Sequence, residues 1–477
     1  MNRLRIIIIY SLLSAFGFSV ILLSSCRNKS VEGMVVFTQV SGKMQDFNIT
    51  ALESAGQKIQ SGIAILNTHK PGSKPDILTK GFYSARSPEI SYDGEMMLFS
   101  AQQKEGDNWQ IWEMNLSNSK LTRVTSLPEN CFDPAYLPDG KVIFSKQTEN
   151  SNLNSGLTMF TCNSDGTDVM QVTFDPYSYS SASVLNDGRV LTISRKTSPE
   201  NGESVFMVLR PDGTKNVLFY KGSEGSHPGT RGWETKSGKI VFIETVKDGE
   251  ETGDLISINY NRPLHTYANL SSGIGGSFIS VFPLKSGEYL VSYRKSGSDR
   301  FGLYEFDPEN KVLGQPVYVS DDFDIAEIVA VEKRERPKKL PSEVDKGVKT
   351  GLLLCQDVNF HDMNTSQSAS LARVNKIKII GKDSVLGEID VESDGSFYMK
   401  VIADTQFQIQ TVDNQGNVVG DPCGWIYLRP NERRGCVGCH EDHEQVPENR
   451  IPLAVRMAPV NVPVHISKVV EKKVSLE

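Results

Sequence analysis

Five hairpin turns built on Asp-Gly or Ser-Gly, at Gly94, Gly140, Gly188, Gly238 and Gly287, recur at spacings of 46, 48, 50 and 49 residues. Short apolar strands flank each of them, and no amphipathic-helix periodicity interrupts the series. A second run of strands, punctuated by Asp-Gly and Gln-Gly turns, fills Thr350–Pro430. These observations predict an all-β fold: a six-bladed β-propeller followed by a small β domain that ends in a cysteine- and histidine-rich segment. A chain of 477 residues exceeds what one core organises, which agrees with two folded units.

The chain opens differently from the rest. Arg3 and Arg5 precede the uncharged apolar run Ile6–Leu23, the layout of an export signal. The run is also long enough to span a membrane as an uncleaved anchor. The following "LLSSC", Leu22–Cys26, resembles the lipobox of bacterial lipoproteins, in which a small residue precedes a cysteine that is diacylated and becomes the new N-terminus. The expectation is a signal peptide over 1–26 and a mature chain held to the membrane by lipid on Cys26, a stable attachment because more than one acyl chain is involved. That places the chain in the cell envelope facing the periplasm. No aspartate follows Cys26, which favours the outer membrane over the inner. The net charge of −7 offers no basic footprint, so no nucleic-acid partner is expected.

The propeller is assigned to residues 27–335. "SPEISYDGEMMLFS" (Ser87–Ser100) returns as "DPAYLPDGKVIFS", "SASVLNDGRVLTIS", "RGWETKSGKIVFIE" and "ISVFPLKSGEYLVSY". Each copy is a strand, a turn whose glycine takes the positive φ a tight hairpin needs, and a nearly unbroken apolar strand. A third strand such as "QIWEMNL" and a fourth such as "LTRVT" complete a four-stranded blade. The sixth copy, "VEGMVVFTQ" (Val31–Gln39), starts at its turn and lacks a first strand. "IAEIVAVEK" (Ile325–Lys333) is predicted to supply it, joining both ends of the repeat region in one blade and hiding the sheet edges. The pattern resembles the TolB type of six-bladed propeller over residues 31–335. Arg86, His227, Arg231 and Trp233 stand at blade openings, where they either line the central channel or close hairpins.

"EKRERPKKLPSEVDKG" (Glu332–Gly347) is charged and holds two prolines, so 336–347 reads as a solvated linker. The second unit, 348–450, has the alternation of a small β domain, and 451–477 is a tail. The seven cysteines divide into Cys26, the pair Cys436 and Cys439, and four more: Cys131, Cys162, Cys355 and Cys423. An oxidising compartment permits disulfides among those four. Cys355 with Cys423 is the pairing that respects the domains, with buried thiols as the alternative.

"RRGCVGCHEDHEQ", Arg433–Gln445, carries the chemistry. Cys436-Val437-Gly438-Cys439-His440 is C-x-x-C-H, the pattern of covalent c-type haem attachment, in which two thiols bond the porphyrin and the adjacent histidine is an axial ligand of the iron. Zinc bound by Cys436, Cys439, His440 and His443 is a second possibility and a plain disulfide a third. Zinc sites usually draw on a second ligand pair at matching spacing, and none exists here. Export favours haem, because haem is joined to protein outside the cytoplasmic membrane. Met457 and His465 in the tail are candidate distal ligands of the iron, and His443 lies too near in sequence to reach the opposite haem face.

The wider stretch, "DGSFYMKVIADTQFQIQTVDNQGNVV" with "WIYLRPNERRGCVGCHEDHE", resembles the middle domain of the hydrazine synthase alpha subunit and its relatives, which also carry a six-bladed propeller ahead of it. The resemblance covers nearly the whole mature chain and implies haem thioethers at Cys436 and Cys439. Two departures limit it. In that subunit the motif histidine turns toward a zinc ion and a tyrosine four residues later ligates the iron, whereas here the later position is Glu444, which favours His440 on the iron. The subunit also continues into a domain with a second haem, and this sequence has no second motif. The functional expectation is a mono-haem c-type lipoprotein working in electron transfer or small-molecule redox chemistry, with a redox partner or envelope protein. The alternative is a non-enzymatic propeller scaffold with a structural haem or metal. Hydrazine synthesis itself is disfavoured by the missing tyrosine and second haem.

Overall fold

The computed structural model describes residues 31–41, 60–70, 72–148, 156–196, 203–223, 225–246, 252–360, 373–438 and 448–463. Almost all regular structure is strand, and six antiparallel units form the ring, five of four strands and one whose inner strand is split in two. Blade 1 orders Phe323–Ala330, Val35–Ser41, Ser61–Leu66 and Asp76–Ile77 from the inside outward. Blades 2, 3 and 4 begin at Ser84, Cys131 and Tyr177, and blades 5 and 6 at His227 and Ser277. Blade 1 closes the ring, because Val35 pairs with Ala330 and Val40 with Asp324. The closing strand starts two residues ahead of the predicted Ile325 and ends earlier, since the backbone beyond Val331 turns off across the ring.

The repeated turns take the geometry their sequence demands. All five glycines have φ between 76° and 101°, and each donates its amide to the carbonyl three residues back, as Gly140 does to Leu137 at 3.0 Å. At Gly188 a second constraint appears: a Cβ there would lie 2.0 Å from the carbonyl oxygen of Lys338. Something passes directly beneath that turn.

It is the segment expected to be a solvated linker; most of residues 336–347 are exposed, and the segment also docks on the ring at several points. Arg334 donates its amide to the Tyr92 carbonyl at 2.8 Å and its guanidinium to Glu89 Oε1 at 2.9 Å and the Ile90 carbonyl at 2.5 Å. Further along, Arg336 reaches the Pro138 carbonyl at 3.3 Å, and Asp212 accepts from Ser342 Oγ and the Glu343 amide at 2.9 and 2.7 Å. The hairpin turns of neighbouring blades expose carbonyls and aspartates, and an extended Lys/Arg-rich strap satisfies them. Arg334, Arg336 and Glu343 dock the segment, while Lys333, Lys338 and Lys339 stay exposed.

The β domain has two sheets. One orders Arg433–Cys436, Thr350–Cys355, Phe397–Ile402 and Val460–Val462, and the other Val385–Asp390, Lys376–Ile380 and Gln408–Val412. Burial alternates along Phe397–Ile402, so one face supplies Phe397, Met399 and Val401 to a core shared with Leu353, Ile377, Ile379 and Ile409. The start of the predicted tail belongs to this domain, because Val460–Val462 runs parallel to Phe397–Ile402 as an edge strand.

Candidate haem-attachment segment

The motif begins at the end of a strand. Arg433–Cys436 pairs in parallel with Thr350–Cys355, placing Cys436 beside Cys355. The chain after Cys436 is held to the turn that follows the partner strand: Gln356 donates its amide to the Cys436 carbonyl at 2.9 Å and Asp357 to the Val437 carbonyl at 3.1 Å. Gly438 is pressed against that turn, and a Cβ on it would lie 2.0 Å from the Phe360 carbonyl oxygen. The glycine of the motif is therefore required by close backbone approach.

Cys439, His440 and His443 lie outside the described residues, as does Glu444. The chain re-enters the description at the same corner it left. Gln356 Nε2 donates to the Glu448 carbonyl at 2.7 Å, and Arg450 Nη2 donates to the Asp394 carbonyl at 2.6 Å while its Nη1 pairs with Asp394 Oδ2 at 2.5 Å. Asp394 is held below the usual carboxylate range: its burial is outweighed by bonds from Ser396 and the Leu453 amide, with Arg450 adding to them. The described chain on either side of residues 439–447 is thus held at Gln356–Asp357.

Residues that the sequence reading passed over hold this strand in place. Glu432 is fully buried and accepts from the Arg429 amide at 2.8 Å, Arg434 Nε at 2.9 Å and the Lys215 amide of the ring at 2.9 Å. Arg429 pairs with Asp404 at 3.1 Å and lies over Phe174 at 4.6 Å, and Tyr427 donates to the Gly213 carbonyl at 3.0 Å. Behind them Asp175 accepts from Tyr179 and Asn216, and burial pushes its carboxyl up to about 7. The signal in the sequence was "RPNERR", too dense in charge for a strand edge unless the charges meet a partner surface.

The other candidates disperse. Met457 caps a short 3-10 turn with 68 % of its surface exposed. His465 and Cys26 lie outside the described residues. Cys131 and Cys162 are buried thiols, and burial pushes both up to about 12. Cys423 packs on the same core as Cys355, and its sulfur accepts from the Ile409 amide at 3.1 Å. Among the described residues no three His, Cys, Asp or Glu side chains are grouped to hold a metal. Of the blade-opening residues, Arg86, Arg231 and Trp233 line one central cavity, while His227 is buried 3.7 Å from Glu203 and is not part of that wall.

Residues 328–441 match the family described as the hydrazine synthase alpha subunit middle domain. The hydrazine synthase subunit alpha of Kuenenia stuttgartiensis is 22 % identical over an alignment that covers 76 % of this chain and 61 % of that protein. The chain therefore spans about three fifths of the length of that curated relative. The solved Kuenenia stuttgartiensis hydrazine synthase superposes with a TM-score of 0.77 at 20 % identity, covering 89 % of this chain and 71 % of that one. TolB from Acinetobacter baumannii matches at a TM-score of 0.44 and 14 % identity over 64 % of this chain and 67 % of that one, and the six-bladed ring rests on its own strand pairing. The family match begins within the ring-closing strand, runs through the strap and most of the β domain, and ends in the motif. In that family and in its fold, this chain is similar to the alpha subunit of hydrazine synthase.

Proposed function

We propose that this protein is an extracytoplasmic lipoprotein, anchored by Cys26, that carries one covalent haem c on Cys436 and Cys439 with His440 on the iron. Its work is electron transfer or small-molecule redox chemistry at that haem. The observation that carries the reading is the fixed position of both flanks of the motif: Cys436 stands at a strand end, Gly438 has no room for a side chain, and Glu448 meets the same turn. A C-x-x-C-H donor set on such a base fits a haem. Bound there, the group supplies one-electron chemistry, tuned by burial and by the axial ligand.

The residues of the chain do the positioning. Gln356 and Asp357 fix the first thioether position through the backbone, and Arg450 fixes the exit of the loop through Asp394. Glu444 in place of the family's tyrosine favours His440 as the axial ligand, so hydrazine synthesis is not proposed. A redox partner or envelope protein follows from the same reading, in keeping with a relative that is by its name a subunit.

The test is a haem-stained denaturing gel of protein made with a c-type maturation system. A band that survives denaturation and disappears in Cys436→Ala and Cys439→Ala is expected; absence of covalent haem would sink the proposal. Stoichiometric zinc in that haem-free protein, lost in His440→Ala, would establish the metal alternative. Radiolabelled fatty acid should attach to the wild type and not to Cys26→Ala. A second reading, a propeller that binds a ligand of its own, is favoured by the polar cavity at the centre of the ring.

A further inference from the structure

Every inner strand of the ring is interrupted where it passes the channel. Register breaks fall between Arg86 and Glu89, Phe132 and Ala135, Ser180 and Ser183, and Phe278 and Ser280, with another in the closing strand, and the inner strand of blade 5 is split into His227–Pro228 and Trp233–Glu234. In four consecutive blades the residue at the break is a non-glycine with positive φ: Glu327 at 45°, Ser87 at 55°, Asp133 at 50° and Ser181 at 56°. Such backbone strain clusters at functional sites. All four line a single cavity of about 90 Å³, well above what one water needs.

The hydrogen-bond count in this cavity does not close. Ser87 Oγ lies 2.8 Å from Asp133 Oδ1 and 3.1 Å from Glu327 Oε1, and a hydroxyl has one proton to give to two carboxylates. The outer oxygens are already served, Asp133 Oδ2 by the Ser181 amide and Glu327 Oε2 by the Ser87 amide and Thr38. One donor is missing on this side of the cavity. The remaining charges on the wall are guanidiniums: Arg86, stacked 4.8 Å from Phe132 and 5.1 Å from Trp109, and Arg231, 4.3 Å over Trp233 and 2.9 Å from Glu89.

We propose that the channel binds a small zwitterion, an amino acid with little or no side chain. Its ammonium donates to Asp133 Oδ1 and Glu327 Oε1, and its carboxylate is taken by Arg231 and Arg86. A simple cation satisfies the carboxylates and must then face two guanidiniums, while a simple anion leaves the missing donor missing. Two carboxylates and two guanidiniums on one wall suit a ligand that is neutral overall and charged at both ends.

The experiment is calorimetric titration of the full chain with glycine, and separately with acetate and with methylammonium as its two halves. Saturable glycine binding is expected, at least tenfold tighter than either half. Glu327→Gln should weaken glycine at least tenfold without lowering the Tm of the unliganded protein, because its amide supplies the donor that Ser87 lacks. A purely structural Glu327 would instead show a lower Tm. If that variant does not fold, Arg231→Lys tests the other end and should give the same loss of affinity. No saturable glycine binding, halves that bind as tightly as glycine, or variants with unchanged affinity would each overturn the proposal.

Discussion

Two regions bury charge in this molecule, and they do so in opposite ways. At the junction between ring and β domain, Glu432, Arg429, Arg434 and Asp404 meet one another and backbone groups of the ring, with Glu432 sealed from solvent. In the channel, Asp133, Glu327 and Arg86 surround a hole, on backbone that is strained in four blades. The junction is an assembly of charges that touch one another and fix two sheets, although Arg429 Nε and Asp175 Oδ1 there are buried without a hydrogen-bond partner. The channel leaves a donor unsupplied. The difference is space: the charges of the junction lie against one another, whereas those of the channel face a cavity.

That contrast is broken most directly at Glu432. Its loss leaves Arg434, Arg429 and the Lys215 amide without their common acceptor, and removing one partner of a buried pair costs about 3–5 kcal/mol. Glu432→Ala should lower the melting temperature, expose the strap to limited proteolysis and reduce covalent haem per chain. A change under about 1 kcal/mol would mean that the junction is no more than a surface contact.

Asp175 sharpens the same side of the comparison through pH. In the unfolded chain its carboxyl ionises near 3.8, and burial at the junction raises this to about 7 in the folded protein. Well below pH 3.8 both states are protonated. As pH rises toward 7 the unfolded chain gains a charge that the folded one resists, so stability falls by at most about 4 kcal/mol and the loss is complete above 7. Asp175→Asn, uncharged throughout, should be more stable than the wild type at pH 8 and equal to it well below pH 3.8. Parallel stability curves for the two proteins would contradict the assignment.

Much of this was legible in the sequence. The glycine spacing gave six blades and the strand that closes them, because a hairpin turn constrains φ locally and a repeat multiplies that signal. The motif was legible as a string, and the structure adds the reason for Gly438. The junction was not legible, since "RPNERR" becomes a buried cluster only when Lys215 and Asn216, more than two hundred residues earlier, come against it. The docking of the strap was not legible for the same reason: Arg334 meets Glu89, and Ser342 and the Glu343 amide meet Asp212, only in the fold. Local rules act through the backbone, whereas charge burial depends on partners that only the fold brings near.

At the corner where Gly438 meets the Phe360 turn, steric closeness replaces charge. Gly438→Ala puts a methyl 2.0 Å from the backbone oxygen of Phe360, a contact that no side-chain rotation relieves. A shift of the loop should cost about 1–3 kcal/mol and be read as less covalent haem per chain, with the ring unaffected. Loss of ring stability in the same variant would show that corner and ring are not separable.

The smallest effect is expected where charge is neither buried nor enclosed. Lys80 and Asp76 pair at 2.9 Å on the outer edge of blade 1, each side chain 70 % exposed. Its geometry matches that of the Arg434–Glu432 contact at 2.7 Å, yet water competes for both groups. Lys80→Ala should change stability by no more than about 0.5 kcal/mol, and added salt should erase even that. If this exposed pair proved worth as much as Glu432, distance alone would set the strength of a charge pair. The expected tenfold disparity says that enclosure does, which is why two carboxylates short of one donor in an enclosed channel call for a ligand and the same pair on the surface would not.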